Sequence, residues 1–228
     1  MRNIFIGFDP REAVAYHVCS NSLIRHANEP LAITPLALNT FKGHYQEGPR
    51  VTLEGYLPTN QFIFSRFLVP YLMDYKGWAL FIDGDMIVTE DIGNLFNLAD
   101  ESMAVQVVQH DYKTKFPIKY LNQVNGDYPR KNWTSVMLFN CAHPDNRKLS
   151  PEYVRNASGK ELHRIEWTDA VGSLPIEWNW LADEYGENFN AKLIHYTTGT
   201  PCFHEYATTP MANLWHKERM LTNYSIQV

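Results

Sequence analysis

A continuous apolar run, Trp78–Ile82, ends directly on a pair of acidic residues, Asp83 and Asp85, and this feature constrains the possible folds most. A short run without polar interruption is typical of a strand that other elements cover on both faces. The run therefore predicts a buried strand that carries two carboxylates at its end. Two close carboxylates repel each other unless a cation joins them, so the pair indicates a site for a hard divalent ion able to bridge to a diphosphate.

The same residues allow a second interpretation. Asp83 and Gly84, placed between two apolar runs, match the turn signal of a β-hairpin. A hairpin gives Asp85 no role, whereas Gly84 in a metal site would let the backbone pass close to a ligand. On this segment alone, the metal site and the turn both remain open.

The N-terminal residues predict a strand followed by a helix. Asn3–Phe8 has the pattern of a short buried strand, and Asp9, Pro10 and Glu12 have the spacing of a helix start with a capping box. Asp9 then lies at the carboxyl end of the first strand, which is the edge where open α/β sheets bind ligands. We therefore count Asp9 among the candidate binding residues.

Further apolar runs and turn residues predict the rest of the fold. They indicate a strand over Leu31–Leu38, a loop over Asn39–Thr59, a helix over Asn60–Tyr75 kinked at Pro70, strands over Met103–Val108, Val136–Phe139 and Lys192–Tyr196, and a helix start at Ser150. The alternation of strands and helices predicts an α/β protein. Because no repeat or linker interrupts the sequence, we expect one domain over residues 1–228.

The charge balance and the cysteines exclude several classes of protein. The chain has 20 Lys and Arg against 25 Asp and Glu, a formal net charge of −5, and nucleic-acid binding requires a basic surface. Three widely separated cysteines do not predict a disulfide framework. No segment has the apolar length of a signal peptide or a membrane span. The sequence thus predicts a cytoplasmic protein with no nucleic-acid partner and no membrane span.

A second candidate ligand group lies late in the chain, where a predicted strand ends on His195. Imidazole is a good ligand for transition metals, and the following loop, which contains Gly199, has amides and hydroxyls that can hold phosphate oxygens. A structural, hydrogen-bonded role for His195 remains the alternative.

Two further motifs carry charge among apolar residues. Arg66 can clamp a phosphate with its planar guanidinium, or it can simply pair with a carboxylate. Glu166 and Asp169 precede two tryptophans, Trp178 and Trp180, in the sequence. Carboxylates beside indole faces suit a sugar, although the indoles fit a hydrophobic core equally well.

Taken together, these segments resemble the metal-dependent glycosyltransferases of the GT-A fold, and among them glycosyltransferase family 8, which includes glycogenin and bacterial galactosyltransferases. The resemblance covers residues 3–203 and rests on the order of the strand to Asp9, Ser65-Arg66-Phe67-Leu68-Val69-Pro70, the acidic strand, Asp91-Ile92 with Leu95-Phe96, Val136–Asn140, and His195 with Gly199. It implies a nucleotide-binding, Rossmann-like mixed sheet flanked by helices in a single domain.

The resemblance also implies an activity and a set of site residues. A hexosyltransferase of this type would move a sugar from a nucleotide-sugar donor, a UDP-sugar first of all, to a saccharide or other hydroxyl-bearing acceptor, with retention at the anomeric carbon. Asp83, Asp85 and His195 would hold Mn²⁺ or Mg²⁺ on the diphosphate. The implied donor contacts are Asp9 at the base, Asp83 at the ribose, Arg66 at the diphosphate or sugar, and Gly199 in the phosphate loop.

The resemblance places Asp169 by the sugar or the acceptor. A retaining enzyme would use Asp169 to orient the donor, whereas an inverting enzyme would need a base, for which Asp169 and Glu166 are the first candidates. The acceptor is expected over the segment Asp111–Lys131, which is rich in lysine and aromatic residues. A solvated basic loop is the alternative for that segment.

Two other functions also fit an acidic pair. A metal-dependent phosphohydrolase or nucleotidyltransferase uses paired carboxylates too, and release of phosphate or pyrophosphate would identify it. A catalytically inactive relative would bind a nucleotide sugar with metal and transfer nothing.

Overall fold

The computed structural model describes residues 1–41, Tyr45 and residues 60–223. The strands are β1 (Arg2–Phe8), β2 (Leu31–Ala37), β3 (Trp78–Ile82), β4 (Met86–Val88), β5 (Val105–Val107), β6 (Ile118–Lys119), β7 (Gln123–Val124), β8 (Val136–Asn140), β9 (Val171–Ser173), β10 (Trp180–Leu181) and β11 (Leu193–His195). The helices are α1 (Ala13–His26), α2 (Val69–Leu72), α3 (Gly93–Phe96), α4 (Pro151–Asn156), α5 (Gly159–His163), α6 (Ala182–Tyr185) and α7 (Ala212–Asn223).

The main sheet has the strand order β2-β1-β3-β8-β5-β9. Strand β8 runs antiparallel to its neighbours β3 and β5, whereas the pairs β1–β2, β1–β3 and β5–β9 are parallel. The carboxyl ends of β1 and β3 therefore meet the amino end of β8 at one edge of the sheet. This edge, which we call the ligand edge, carries Asp9 after β1 and Asp83 after β3. The mixed α/β sheet confirms the predicted fold class.

A second, smaller sheet excludes the hairpin interpretation of Asp83-Gly84. Strand β4, which follows the acidic pair, is not part of the main sheet and pairs antiparallel with β11. Strands β3 and β4 therefore do not form a hairpin. The chain crosses from one sheet to the other within Asp83-Gly84-Asp85, and the pairing of Met86 with His195 brings the end of β11 beside these acids.

Apolar side chains cover both faces of β3. On one face Ala79 and Phe81 pack in a core with residues of α4 and α5, and on the other Leu80 and Ile82 pack in a core with residues of α1 and α3. All four of these side chains are fully buried. The sequence of β3 is apolar throughout because both faces of the strand are buried, so neither face needs polar side chains.

Most predicted elements lie where the sequence placed them. The main differences concern the capping box after Asp9, the length of β5 and the helix predicted over Asn60–Tyr75. Helix start Ser150 caps α4 through its side chain, as expected. Asp9 caps a short 3₁₀ helix by accepting from the Arg11 amide, and Glu12 does not complete a capping box. Pro35 is accommodated because β2 is the edge strand of the main sheet. Strand β5 is shorter than Met103–Val108.

The helix predicted over Asn60–Tyr75 is broken into two short pieces. A 3₁₀ helix over Ser65–Leu68 leads into α2, where Pro70 occupies the first turn, the place in which a missing amide hydrogen costs nothing. Asp74 and Tyr75 then take left-handed backbone angles and end the helix. Of the predicted loop Asn39–Thr59, residues 42–44 and 46–59 lie outside the described residues.

No helix in the described ranges combines the length and the apolar character needed to cross a bilayer.

His110, just beyond β5, generates a prediction for stability. Burial, together with a smaller effect of the charge of His195, lowers its pKa to about 3, whereas an unfolded histidine has a pKa of about 6.5. Below pH 6.5 the unfolded chain therefore takes up a proton that the folded chain does not, and the unfolding free energy falls. His110→Phe should remove on the order of 2 kcal/mol of the loss between pH 6.5 and 5.

Urea unfolding at pH 7, 6 and 5 checks this prediction by comparing the variant with the wild type. An unchanged pH slope in the variant would contradict the buried, neutral state of His110.

Candidate metal and nucleotide site

Three side chains at the ligand edge converge on one point. Oxygen atoms of Asp83 and Asp85 and a ring nitrogen of His195 all lie within 4.8 Å of one another. His195 Nε2 is 3.2 Å from Asp85 Oδ1 and 3.9 Å from Asp83 Oδ2. Asp83 Oδ1 and Asp85 Oδ1 are buried, and their close polar neighbours in the described part of the chain are the Arg66 guanidinium and the His195 imidazole. Two buried carboxylates and an imidazole that converge in this way fit a divalent cation.

The charges of this cluster shift each other's titration. Burial raises the pKa of Asp83 to about 6, against the attraction of Arg66. Burial also opposes ionisation of Asp85, but the charge and hydrogen bond of His195 hold the pKa of that carboxyl below its usual value. Burial alone would lower the pKa of His195, yet the Asp85 carboxylate raises it. The site therefore favours a bound positive charge.

Asn179 fixes the orientation of the His195 ring. Its side-chain oxygen lies 3.0 Å from His195 Nδ1, and its amide donates to Ser135 Oγ at 2.8 Å and to the Asn132 carbonyl at 3.2 Å. Since the amide nitrogen of Asn179 is used in this way, its oxygen accepts from Nδ1–H of the imidazole. The hydrogen bond leaves Nε2 directed at the acidic pair, which is the arrangement of a metal-binding histidine with a supporting acceptor.

Arg66 lies behind Asp83 instead of at the surface of the cleft. Its Nη1 is 2.8 Å from Asp83 Oδ1 and donates to the Thr134 carbonyl at 2.9 Å. The guanidinium also packs over the rings of Phe62 and Phe81, at 5.3 and 4.9 Å. With only 4% of its surface exposed, Arg66 balances and positions the buried carboxylate, which is the second of its two sequence interpretations.

A cleft opens beside this cluster. Its lining residues include Gly7, Asp9, Glu12, Tyr16, Asn60, Phe62, Asp83, Gly84, Asp85, Lys119, Tyr120, Asn132, His195 and Thr197. Asp9 is held in this lining, where it accepts from the Arg11 side chain at 2.6 and 3.0 Å and from the Gln61 amide at 3.2 Å. The cleft therefore brings Asp9 together with Asp83, Asp85 and His195.

Glu12 and Lys119 line the cleft although the sequence assigned neither to it. Burial, helped by the charge of Asp85, raises the pKa of Glu12 to about 7, while a hydrogen bond with Tyr120 opposes the rise. Burial lowers the pKa of Lys119, and the charges of Asp85 and Asp83 counteract it. Lys119 belongs to the segment Asp111–Lys131, for which the sequence left an acceptor site and a solvated basic loop open, and it lines the same cleft as the acidic pair.

The backbone around the acids is closely packed. A Cβ atom on Gly84 would lie 2.5 Å from the carbonyl oxygen of Gly7, so only glycine fits where the chain crosses between the sheets. The amide of Asp83 donates to the Ser135 carbonyl at 3.0 Å, and the amide of Tyr196 donates to the Asp85 carbonyl at 3.1 Å. These contacts hold both acids against β8 and β11.

Gly199 lies in the late loop but does not line the cleft. A Cβ atom there would lie 2.4 Å from the Tyr206 ring, so the glycine makes room for this tyrosine. The loop is anchored by Asp183, whose carboxylate accepts from the Thr198 amide at 3.2 Å and from the Thr209 hydroxyl. Thr197 is the residue of this loop that reaches the cleft.

The structure does not bring Glu166 and Asp169 to the cleft. Both side chains are exposed and precede β9, which runs parallel to β5 with Ser173 paired to Val107. Asp169, two residues before β9, therefore lies at the edge of the main sheet opposite to Asp9 and Asp83, and Glu166 is not among the residues that line the cleft. The tryptophans that the sequence placed near them differ in environment, since Trp178 is fully buried in the core and Trp180 is partly buried.

Asn179 was missed because a single buried asparagine has no spacing pattern. For the neighbouring Trp178 and Trp180 the sequence left a sugar-binding surface and a hydrophobic core open, and the contact with His195 shows that Asn179 faces β11. Asn132 lines the cleft with a left-handed backbone, and its side-chain amide donates to Tyr112.

The role of Asn179 predicts a change in metal affinity. Asn179→Ala should weaken Mn²⁺ binding about 10- to 100-fold, as expected for loss of a group that orients a metal-binding histidine. Titration of Mn²⁺ followed by electron paramagnetic resonance measures the affinity directly. Asn190→Ala, at an exposed position, is the matched control and should bind Mn²⁺ like the wild type. Unchanged affinity in Asn179→Ala would contradict the assignment.

Comparison with known proteins gives a fold and a family. No family model matches the chain. Among solved structures, the glycosyltransferase GlyE of Streptococcus pneumoniae superposes with a TM-score of 0.59 at 18% identity over 96% of this chain, which spans 60% of the length of GlyE. The galactosyltransferase LgtC, in complex with donor and acceptor sugar analogs, has a TM-score of 0.60 at 12% identity over 99% of this chain and 98% of LgtC.

At these identities the superpositions establish the fold, which is the GT-A glycosyltransferase fold that the sequence predicted. The curated relative found by sequence is Protein CDI of Arabidopsis thaliana, 40% identical over 222 residues that span 94% of this chain and 85% of that protein. An identity of this level over nearly the whole chain establishes common descent. The chain therefore belongs to the protein family that includes Protein CDI of Arabidopsis thaliana.

Proposed function

We propose that the protein is a metal-dependent glycosyltransferase that transfers a sugar from a nucleotide-sugar donor, a UDP-sugar, to a hydroxyl-bearing acceptor. The observation that carries the proposal is the cluster of Asp83, Asp85 and His195 in a cleft at the ligand edge of a GT-A fold. Paired buried carboxylates with an imidazole attract a divalent cation, and a cation in that cleft attracts a diphosphate. One domain over residues 1–228 would carry the whole activity.

Asp83, Asp85 and His195 are the residues that would hold Mn²⁺ or Mg²⁺. When bound, the metal acts as a Lewis acid that neutralises negative charge on the leaving diphosphate. Arg66 acts on this site through Asp83, whose carboxylate it positions. Lys119, which also lines the cleft, supplies a second positive charge that can contact phosphate oxygens directly.

Asp9 and its neighbours suit the nucleoside end of the donor. Asp9 lies on the same cleft as the metal cluster but is held by Arg11 and Gln61, so its carboxylate is fixed in place. A fixed carboxylate can accept from a base N–H or a ribose hydroxyl. Gly199 contributes indirectly, because it sets the position of the loop that ends the cleft.

We propose that the reaction retains the anomeric configuration of the donor. An inverting enzyme needs a base within hydrogen-bond reach of the acceptor hydroxyl, directly or through one water. Glu166 and Asp169 were the sequence candidates for that base, and neither is among the residues that line the cleft, which favours retention. In this mechanism the leaving diphosphate helps to deprotonate the acceptor. NMR assignment of the product's anomeric configuration against that of the donor tests the proposal.

Nucleotide binding provides the first test of the donor and the metal. Thermal unfolding with UDP, GDP or ADP, each with Mn²⁺ or with a chelator, should show stabilisation by UDP only when Mn²⁺ is present. Equal stabilisation after exhaustive chelation would contradict metal dependence. Release of free phosphate or pyrophosphate, without sugar transfer, would identify a phosphohydrolase or nucleotidyltransferase instead.

Asp85→Asn should abolish metal-dependent UDP binding and leave the fold intact. The substitution removes a charge that repels Asp83 and a proposed metal ligand, while keeping the side chain's size. Isothermal titration with UDP and Mn²⁺ measures the loss, and the unfolding midpoint reports on the fold. Asp74→Asn, at an exposed position paired only with Lys76, is the matched control and should bind UDP like the wild type.

Arg66→Lys should weaken metal-dependent UDP binding although it keeps the charge. A lysine ammonium cannot reproduce the planar contact with Asp83 and the Thr134 carbonyl while packing between two aromatic rings. The same titration measures the effect. Full binding by Arg66→Lys, with loss only in Arg66→Ala, would show that Arg66 supplies charge alone.

A further inference from the structure

A second concave surface adjoins the proposed donor cleft. We call it the hairpin groove; the residues that define it are Ile118, Lys119, Tyr120, Leu121, Asn122, Phe203, Glu205 and Tyr206. Its volume is about 290 Å³, close to the lower end of the range of roughly 300–1,000 Å³ seen for small-molecule sites. Lys119 and Tyr120 line both the groove and the cleft, so the two concave surfaces adjoin at these residues.

Aromatic rings form one side of the hairpin groove. Tyr120 and Phe203 stack with their ring centroids 5.4 Å apart and an angle of 25° between the planes. Tyr206 also lines the groove, and its ring lies against Gly199, where no larger residue fits. The late loop that closes the cleft thus also fixes a ring of the groove. Stacked rings held in this way present flat apolar surface to a ligand.

The opposite side is a hairpin tip with an unusual backbone. Leu121 and Asn122 lie between β6 and β7, and both have left-handed angles, with φ of 57° and 56°. Such angles in a leucine cost on the order of 1–3 kcal/mol and persist only where surrounding contacts impose them. One such contact is the hydrogen bond from the Tyr120 amide to the Thr198 carbonyl, at 2.7 Å, which ties the hairpin to the late loop.

Polar groups surround the aromatic surface. Glu205 and Asn122 are exposed at the groove, where they offer a carboxylate and an amide, and the ammonium of Lys119 lies 5.9 Å from the Tyr120 ring centre. A ligand with one apolar face and a rim of hydroxyl groups matches this combination. A pyranose ring has that character, since its C–H bonds cluster on a face and its hydroxyls lie around the ring.

We propose that the hairpin groove binds the acceptor, and that the acceptor is a saccharide stacked on Phe203 and Tyr206. The proposal rests on the proposed glycosyltransferase function. A saccharide in the groove places its hydroxyls towards Lys119 and Tyr120, where the groove adjoins the donor cleft. In the transfer, the acceptor oxygen forms the bond to the anomeric carbon and its proton passes to the leaving diphosphate. The bond from the anomeric carbon to that diphosphate breaks, and its electron pair leaves with UDP.

Saturation-transfer NMR with the full chain tests the proposal. The probes are the methyl α- and β-glycosides of glucose, galactose, mannose and xylose, each added in the presence of UDP and Mn²⁺. At least one glycoside should bind, with saturation concentrated on the C–H protons of one ring face. Phe203→Ala should weaken that binding about two- to tenfold, the range expected for loss of one stacked ring.

Two controls separate the groove from the donor site. Phe189→Ala removes a phenyl ring that is 96% exposed and outside the groove, and it should leave glycoside binding unchanged. Phe203→Ala should keep the thermal stabilisation by UDP and Mn²⁺, because Phe203 does not line the cleft. Both results together support an acceptor site distinct from the donor site.

Several outcomes would overturn the proposal. One is a wild-type protein that binds UDP with Mn²⁺ but none of the glycosides; another is glycoside binding that Phe203→Ala does not change. Sedimentation of the chain with phosphatidylcholine vesicles, lost in Leu121→Ser, would instead assign the exposed hairpin tip to a lipid surface. If the chain binds no UDP but binds a glycoside, and that binding depends on Phe203, the donor function is contradicted. The saccharide site is then still supported.

Discussion

The burial of two carboxylates at the end of one strand is the constraint on which the site depends. Asp83 and Asp85 lie two residues apart, and charged groups taken out of water are costly unless other charges compensate them. The protein meets this cost with Arg66 behind Asp83 and His195 beside Asp85. The two carboxylates and the imidazole converge within 4.8 Å of one another, so a divalent cation would complete the compensation.

The fold supplies each compensating group from a different part of the chain. The antiparallel β8 brings the Thr134 and Ser135 carbonyls to the ligand edge, where they accept from Arg66 and from the Asp83 amide. Pairing of β4 with β11 brings His195 beside the acids, and Asn179 then fixes the imidazole. The mixed direction of the sheet is thus a functional feature, because an amino end beside two carboxyl ends provides backbone acceptors as well as acids.

The sequence was informative where a short stretch fixes its own environment. The apolar run Trp78–Ile82 can only be a strand between two layers, and the strand has those bounds. The position of Asp9 after the first predicted strand placed it at the edge where open α/β sheets bind ligands. The family resemblance joined Asp83, Asp85 and His195, and in the structure the pairing of β11 with β4 brings His195 to the acids. The resemblance also implied a place for Asp169 by the sugar or the acceptor, but Asp169 precedes β9 at the opposite edge of the main sheet, because strand direction is not encoded in a local pattern.

The sequence by itself determined the α/β class, the buried acidic strand and the residue types of a candidate metal site. Only the tertiary structure decided which partners those residues have: that Arg66 faces Asp83, that Asn179 orients His195, and that Lys119 and Tyr120 line two adjoining concave surfaces. The physical reason is the range of the interactions. Backbone preference and apolar burial act on neighbouring residues and produce a periodic pattern in the sequence. A hydrogen bond between residues far apart in the chain produces no such pattern.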